Sequence, residues 1–494
     1  MQLTLPLPEL AQLSFGAAPS PSHRVYCNRS LRLDQIEWVG FDMDYTLAIY
    51  DQREMDRLSI EATLAKLTQR GYPESLRSAA YRTDFPIRGL LVDRKLGNVL
   101  KMDRYKYVKR AYHGLTELTK EERRHTYHTR RLRADSARYH WVDTLYALSE
   151  VAVYAAAIDH LERLGVEVDP DRLFGDVREC IDLSHQDGSI LDHILADLPR
   201  YVQRDPLLPR TLHQLRSAGK KLFLLTNSHG PYSDRMMSFL LGDGLPQYRG
   251  WRGYFDLVVC AARKPRFFTG DAQFEELLPD GSRRALPNGI PRVERGRMYL
   301  GGHIESLQTA LGTTPDRVLY VGDHIYGDVL RAKKESSWRT MMVVQEMSDE
   351  LVAHGEVEHS LARLDSLEDL RLRLLEELRD HQVVLKTLER RRATKKELTP
   401  AEDAERVRHR HAVDRLKQRI RLAEREHDEL ERGVDRRFHR YWGSLFKAGG
   451  EVSSFGDQVE TYACLYTSRV SNLLRYSPMH FFTSPRDRMP HELP

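Results

Sequence analysis

Four short apolar runs punctuate the chain, and each is bounded by charge and closed by polar residues. The first lies in Ile36–Leu47 (IEWVGFDMDYTL) and ends on Asp42-Met43-Asp44-Tyr45-Thr46. The second, Lys221–Leu225, ends on Thr226-Asn227-Ser228, and the third, Phe255–Val259, leads into Ala261-Ala262-Arg263-Lys264-Pro265. The fourth, Val318–Val321, ends in Gly322-Asp323-His324-Ile325-Tyr326-Gly327-Asp328. Apolar runs of this length predict buried strands, about 4–8 residues each.

The segments between them carry other periods. Leu58–Arg70 is amphipathic and is stopped by Gly71 and Pro73, which predicts a helix. Residues 85–114 alternate apolar and charged positions around Gly89, Gly97 and Gly114, the pattern of strands joined by tight turns. Residues 117–139 are strongly charged and read as a solvated helix or loop. A helical segment is then expected to carry Tyr139, Trp141, Asp143, Tyr146 and Glu150, where the aromatic spacing favours core packing over a ligand platform. Arg178, Asp182 and His185 stand at i, i+4 and i+7 and share one helix face. An exposed salt-bridged face and a grip on a polar ligand both fit that trio. In 366–440, Leu367, Leu370, Leu374, Leu378, Leu385 and Leu388 repeat at 3- or 4-residue spacing. Leu416, Ile420, Ala423, Leu430 and Val434 do the same beyond Pro400. Two such stripes predict an antiparallel helical hairpin or short coiled coil. Its arginines are offset by Glu and Asp, so a solvated face fits better than RNA binding, and an oligomerisation arm is one use.

A chain of 494 residues suggests roughly three domains. A net charge of +4 is slight for that size, so nothing global argues for nucleic acid. Four scattered cysteines without a C-x-x-C pair fit a reducing compartment with neither zinc site nor disulfides. Residues 1–22 lack the basic start of a signal peptide and read as a loosely ordered tail. The most apolar stretch, Leu145–Ile158, is too short to span a bilayer and contains Glu150. A cytoplasmic protein without a membrane partner is expected.

The strand ends carry the chemistry, as they do in open parallel sheets. Asp-x-Asp offers one carboxylate as nucleophile and another as acid/base or metal ligand. Hydroxyls and free amides after the second strand suit phosphate oxygens, and Lys264 can act as a point charge on a phosphoryl group. Gly322 and Gly327 free the backbone for close approach, and Asp323 can give Mg²⁺ a hard oxygen ligand. The ordered set DxDxT, TNS, K and GDxxxxD is a site for phosphoryl transfer.

These motifs, with the strings FDMDYTLA, FPIRGLL, LLTNS, ARKPRFF, VGDHIYGDVLRAKK and SNLL, resemble the haloacid dehalogenase superfamily. Within it they resemble the cytosolic purine 5′-nucleotidases of IMP/GMP-specific type. The likeness covers most of 23–365 and resumes at about 441–490. It implies an α/β fold: a doubly wound parallel-sheet core (23–100, 171–265, 313–365) with an inserted α+β cap (101–170, 266–312). The helical hairpin (366–440) and a C-terminal helical segment packing on the core (441–494) complete the expected layout.

The resemblance further implies Mg²⁺-dependent hydrolysis of nucleoside 5′-monophosphates, with nucleoside phosphotransfer as a side activity. Asp42 would be the nucleophile and Asp44 the acid/base. Mg²⁺ would be held by Asp42, the Asp44 carbonyl and Asp323, with Asp328 in support. Thr226 and Lys264 would bind the phosphoryl group beside Asn227 and Ser228, and Arg178, Asp182, His185 and Tyr146 would face the nucleotide. Tyr326, Lys334, Gln458 and Tyr462 match positions of an adenine-nucleotide effector site, where Asp143 takes the place of a usual asparagine, and homo-oligomers are usual among relatives. Three positions depart from the pattern: Gln186 where tyrosine is usual, Tyr146 for phenylalanine, and Asp143 for asparagine. They leave the preferred base and the effector open. A phosphatase acting on another small phosphoester, or a nucleotide-sensing scaffold built on the hairpin, are the alternatives.

Overall fold

Every residue of the strand Trp38–Phe41 is buried, and this strand lies inside a ten-stranded sheet. In chain order the sheet contains β1 (Tyr26–Cys27), β2 (Trp38–Phe41), β3 (Lys221–Leu225), β4 (Leu257–Cys260) and β5 (Phe274–Leu277). It continues with β6 (Arg283–Leu286), β7 (Met298–Gly301), β8 (Val318–Gly322), β9 (Arg339–Val343) and β10 (Leu465–Thr467). Their spatial order is β1-β10-β9-β8-β2-β3-β4-β7-β5-β6. The strands from β10 to β7 run parallel, while β1, β5 and β6 are antiparallel to their neighbours. The chain thus leaves β2 and builds outward on both sides of it, which is the doubly wound, haloacid dehalogenase-like α/β arrangement. Such a reversal opens a crevice at the carboxyl end of the central strand. The computed structural model describes residues 19–127, 132, 134, 136–393, 398–486 and 492. The tail expected over 1–22 therefore lies outside the described residues up to 18, and Pro21–His23 form a single 3-10 turn.

Burial on both faces explains why the core strands read as unbroken apolar runs. Trp38, Phe223, Phe268, Tyr320 and Trp338 share one buried cluster. Gly40 makes that packing possible: a Cβ there would lie 2.0 Å from Cζ of Phe223.

Several expectations need correction. Residues 266–312, placed in the cap, instead extend the core sheet through β5, β6 and β7. Phe267, Phe268, Phe274 and Tyr299 belong to the core cluster, so this stretch is bound to the sheet by its own apolar side chains. The separate five-stranded antiparallel sheet begins at Leu90, before the expected 101. Its strands lie in the order 116–117, 108–113, 98–102, 90–93 and 139–142. Tyr139 and Trp141 are on a strand and not on a helix, paired with Asp93 and Leu91. Two residues apart, they share a face and pack on Leu91, Leu100, Met102 and Ala111. Helix α1 (Gln52–Gln69) starts ahead of Leu58 because the Asp51 side chain accepts from Glu54 N and caps it. Helices α2 (Ala147–Arg163) and α3 (Pro170–Gln186) follow the five-stranded sheet. Among its described residues the C-terminal segment, expected to be helical, holds one short α-helix, Ser454–Tyr462, then gives β10 to the core sheet and makes a 3-10 turn at Val470–Arg475.

Residues 349–444 form a second compact unit. Two helices build it, α4 (Met347–Ala393) and α5 (Pro400–Phe438), and α4 begins well ahead of 366. Thr399 and Glu402 make a capping box at the start of α5. Leu374, Leu416 and Ile420 are its buried seam. The pairs Arg363–Glu426, His381–His409 and Arg391–Glu402 converge toward the turn, the mark of antiparallel helices.

Candidate active site

The carboxyl ends of β2, β4 and β8 bring four charged side chains into one buried cluster. Lys264 Nζ lies 2.9 Å from Asp42 Oδ1 and 2.7 Å from Asp328 Oδ1, and it donates to the Tyr320 hydroxyl at 3.0 Å. Carboxylate oxygens of Asp42, Asp323 and Asp328 lie within 4.8 Å of one another, and all three residues are buried. Asp42 N-terminal to Met43 also receives the Met43 amide on Oδ1, at 2.8 Å.

Charge in this cluster does not balance. Burial raises Asp42 well above the usual carboxylate range; Lys264 opposes the shift, while Asp328 and Asp323 add to it. Asp323 is pushed up to about 7, again by burial first, with Arg88 opposing. Burial alone would discharge Lys264, but Asp328 and Asp42 outweigh it and hold the lysine well above its ordinary value. Three carboxylates facing one ammonium offer hard oxygen donors to a small divalent cation, and the donor set fits Mg²⁺.

Asp44 occupies a different environment. The Tyr50 hydroxyl donates to its Oδ1 at 2.5 Å and the Ser228 hydroxyl to its Oδ2 at 2.6 Å. Tyr50 in turn meets the Tyr232 hydroxyl at 2.9 Å. Burial raises Asp44 above the ordinary carboxylate value even though the Ser228 and Tyr50 bonds lower it. A carboxyl biased toward its protonated form, two residues beyond a potential nucleophile, is what leaving-group protonation needs.

The supporting residues explain the geometry. Arg88 is fully buried and grips Glu346 with Nε and Nη2 at 2.8 and 2.6 Å, while its Nη1 donates to the Asp323 carbonyl at 2.8 Å. Asn227, expected beside the phosphoryl group, spends its side chain on the Lys264 backbone, accepting from N at 2.6 Å and donating to O at 3.0 Å. Ser228 likewise serves Asp44. Thr226 is buried, and its hydroxyl oxygen accepts the Ser228 amide at 3.1 Å.

Two helix faces meet to one side of this cluster. Tyr146, at the N-cap of α2, lies edge-on to His185 of α3 with ring centroids 5.8 Å apart. One turn further along α2, Glu150 lies 3.6 Å from Arg178 Nε. Arg178, Asp182 and His185 share the opposing face, so the structure brings together all four residues expected to face a nucleotide. Of the expected effector residues, Lys334 Nζ stands 5.7 Å from the Tyr462 ring. Gln458 lies on the same short helix as Tyr462, and Tyr326 is engaged by Arg331. Asp143 turns to His324, its Oδ2 3.2 Å from Nε2.

Tyr50, Tyr232, Arg88, Glu346, Tyr320 and Glu150 join the site with little local signal in the sequence. Tyr320 was hidden inside an apolar strand, where one hydroxyl does not break the pattern. Arg88 stands in the string FPIRGLL, where a lone arginine between isoleucine and glycine is its only local signal.

A family model described as the 5′ nucleotidase family matches residues 25–494. A curated 5′-nucleotidase domain-containing protein of Dictyostelium discoideum is 29% identical over 477 residues, covering 95% of this chain and 74% of that protein. Among solved structures, a predicted phosphoglycolate phosphatase from Haemophilus somnus is similar at 13% identity. It covers 63% of this chain and 86% of its own, with a TM-score of 0.27. CbbY from Rhodobacter sphaeroides is similar at 14% identity, 62% and 86% coverage and a TM-score of 0.24.

Proposed function

This chain belongs to the 5′ nucleotidase family of hydrolases, and from that premise we propose that it hydrolyses purine nucleoside 5′-monophosphates through an aspartyl-phosphate on Asp42. The observation that carries the reading is the split between the two aspartates. Asp42 lies against Lys264 in the charged cluster, while Asp44 is held apart by Tyr50 and Ser228.

Both contacts of Asp42 fall on Oδ1, which leaves Oδ2 to attack phosphorus. As the new O–P bond forms, the ester P–O bond breaks and the leaving nucleoside oxygen takes the Asp44 proton. Asp44, now a carboxylate, removes a proton from water; the water oxygen attacks phosphorus and returns Asp42 as a carboxylate. An incoming nucleoside hydroxyl in place of water makes the same site a phosphotransferase. Lys264 and the Thr226 hydroxyl hold the phosphoryl oxygens, and Asn227 fixes Lys264. Asp42, the Asp44 carbonyl and Asp323, supported by Asp328, would hold Mg²⁺, which supplies charge neutralisation for the dianionic phosphate.

The base lies over the Tyr146 ring, with Arg178, Asp182 and His185 reading its edge, which favours IMP and GMP. Tyr326, Lys334, Gln458 and Tyr462 are the proposed adenine-nucleotide effector residues. Four free cysteines support a reducing, cytoplasmic location. No helix among the described residues is long and apolar enough to cross a membrane.

The test is phosphate release from IMP, GMP, AMP, CMP and UMP with Mg²⁺, beside an Asp42→Asn control. Purine-selective release that falls by several orders of magnitude in the variant supports the reading. No release from any nucleotide, with or without ATP, overturns it.

A further inference from the structure

Arg178 is held at two of its three guanidinium nitrogens by residues outside the set expected to face a nucleotide. Its Nε lies 3.6 Å from Glu150 Oε1 and its Nη1 lies 3.3 Å from His140 Nδ1. His140 is partly buried, and burial, then the nearby Arg178 charge, lowers it to about 4. A neutral imidazole accepts through Nδ1, so it receives an N–H from arginine without repelling it. Glu150 is 7% exposed, and its Oε1 makes no hydrogen bond. Among the described residues no hydrogen bond falls on Nη2. The third nitrogen is therefore the one left to a ligand, on the helix face that also carries Asp182 and His185.

We propose that Glu150 and His140 are positioning residues for Arg178, a two-point cradle that aims Nη2 at a carbonyl oxygen on the base and so sets the preference for 6-oxopurines. This rests on the nucleotidase reading. A guanidinium fixed by its other nitrogens loses little freedom on binding a carbonyl, whereas a free one must be ordered first. An adenine edge presents an amino group where a 6-oxopurine presents oxygen, and a fixed donor rejects it.

The charge state of Glu150 tunes the cradle. Burial raises it to about 7, with Arg178 opposing and Asp182 and Asp143 adding to the rise; the other ionisable group facing it is His140, whose Nε2 lies 3.7 Å from the same Oε1. Only the ionised carboxylate pairs strongly with Nε, so the cradle tightens as pH rises through neutrality.

The experiment compares Glu150→Gln with the unaltered enzyme on IMP, GMP and the base-less ribose 5-phosphate, in the Arg178 and Arg178→Ala backgrounds. The expected result is a KM for IMP and GMP raised about tenfold relative to that for ribose 5-phosphate, with kcat little changed. That rise should vanish when Arg178 is already alanine. In the unaltered enzyme KM for IMP should fall between pH 6 and 8, and this fall should be lost in Glu150→Gln. His140→Phe should repeat the KM effect without removing the pH dependence. An equal loss on all three substrates, or a Glu150 effect that persists without Arg178, overturns the cradle alone. Absence of nucleotide hydrolysis by the unaltered enzyme overturns the function, and the cradle with it.

Discussion

The side chain of Asn227 and the main chain of Lys264 are joined by two hydrogen bonds, one in each direction, at 2.6 and 3.0 Å. The two residues follow neighbouring strands, β3 and β4, so the ammonium that faces Asp42 is placed by a contact across the sheet. Asn227→Ala should lower kcat about a hundredfold with little change in KM, since a misplacement of about 1 Å costs a factor of that order. Asn227→Asp, which keeps the acceptor, should recover part of the loss. Steady-state kinetics on the best nucleotide checks both, and unchanged kcat in the alanine variant would count against this role.

Tyr50 donates to Asp44 Oδ1 and thereby favours the ionised carboxylate. Tyr50→Phe removes that donor, so Asp44 should hold its proton to higher pH. The alkaline limb of the kcat profile should move upward, and kcat at neutral pH should fall about tenfold as the deprotonated base becomes scarcer. A pH–rate series for the two enzymes tests the direction; a downward shift would contradict it.

Asp56 is buried, accepts from Gln52 Nε2 through Oδ1, and has an Oδ2 without a hydrogen bond. Burial raises it to about 8, far above an unfolded aspartate at about 3.9. Between those values the folded chain keeps a proton that the unfolded chain releases. Its stabilising contribution is complete at acid pH and is lost as pH rises through about 8, with a slope of at most ~1.4 kcal/mol per pH unit. Asp56→Asn should flatten that dependence. Urea midpoints at pH 5 and pH 8 for both proteins give the comparison, and parallel trends would dismiss it.

Gly40→Ala should destabilise the core by about 1–3 kcal/mol, because the new methyl meets the Phe223 ring well inside van der Waals contact. Adding Phe223→Leu should recover part of that loss, so the pair should be non-additive. Chemical denaturation of the single and double variants measures it.

What was legible in the sequence followed from burial. Strands covered on both faces are apolar throughout, so Trp38–Phe41, Lys221–Leu225, Leu257–Cys260 and Val318–Gly322 stood out, and the polar residues closing them marked the crevice. The edge hairpin did not: β5 alternates buried and half-exposed positions and β6 is largely exposed, so 266–312 resembled a peripheral domain. Tyr139 and Trp141 fit either period, because two aromatics two residues apart do not distinguish a short strand from a helix start. Arg88 and Glu346 are distant in sequence, and nothing local to either announces the partner.

The pairing of β1 with β10, Tyr26 opposite Tyr466, joins segments separated by nearly the whole chain. On the ribosome, at roughly 5–20 residues per second, the segment at 26–27 waits on the order of half a minute or more for its partner. Until then β9 presents an open parallel edge in a nascent chain that already carries its catalytic strands. The helical hairpin of 349–444 is synthesised during that wait, and its contacts are local, so it can fold while the edge is still unpaired. Completion of the sheet is thus a late event in biosynthesis, and chaperone contact, where it occurs, has its longest window at β9.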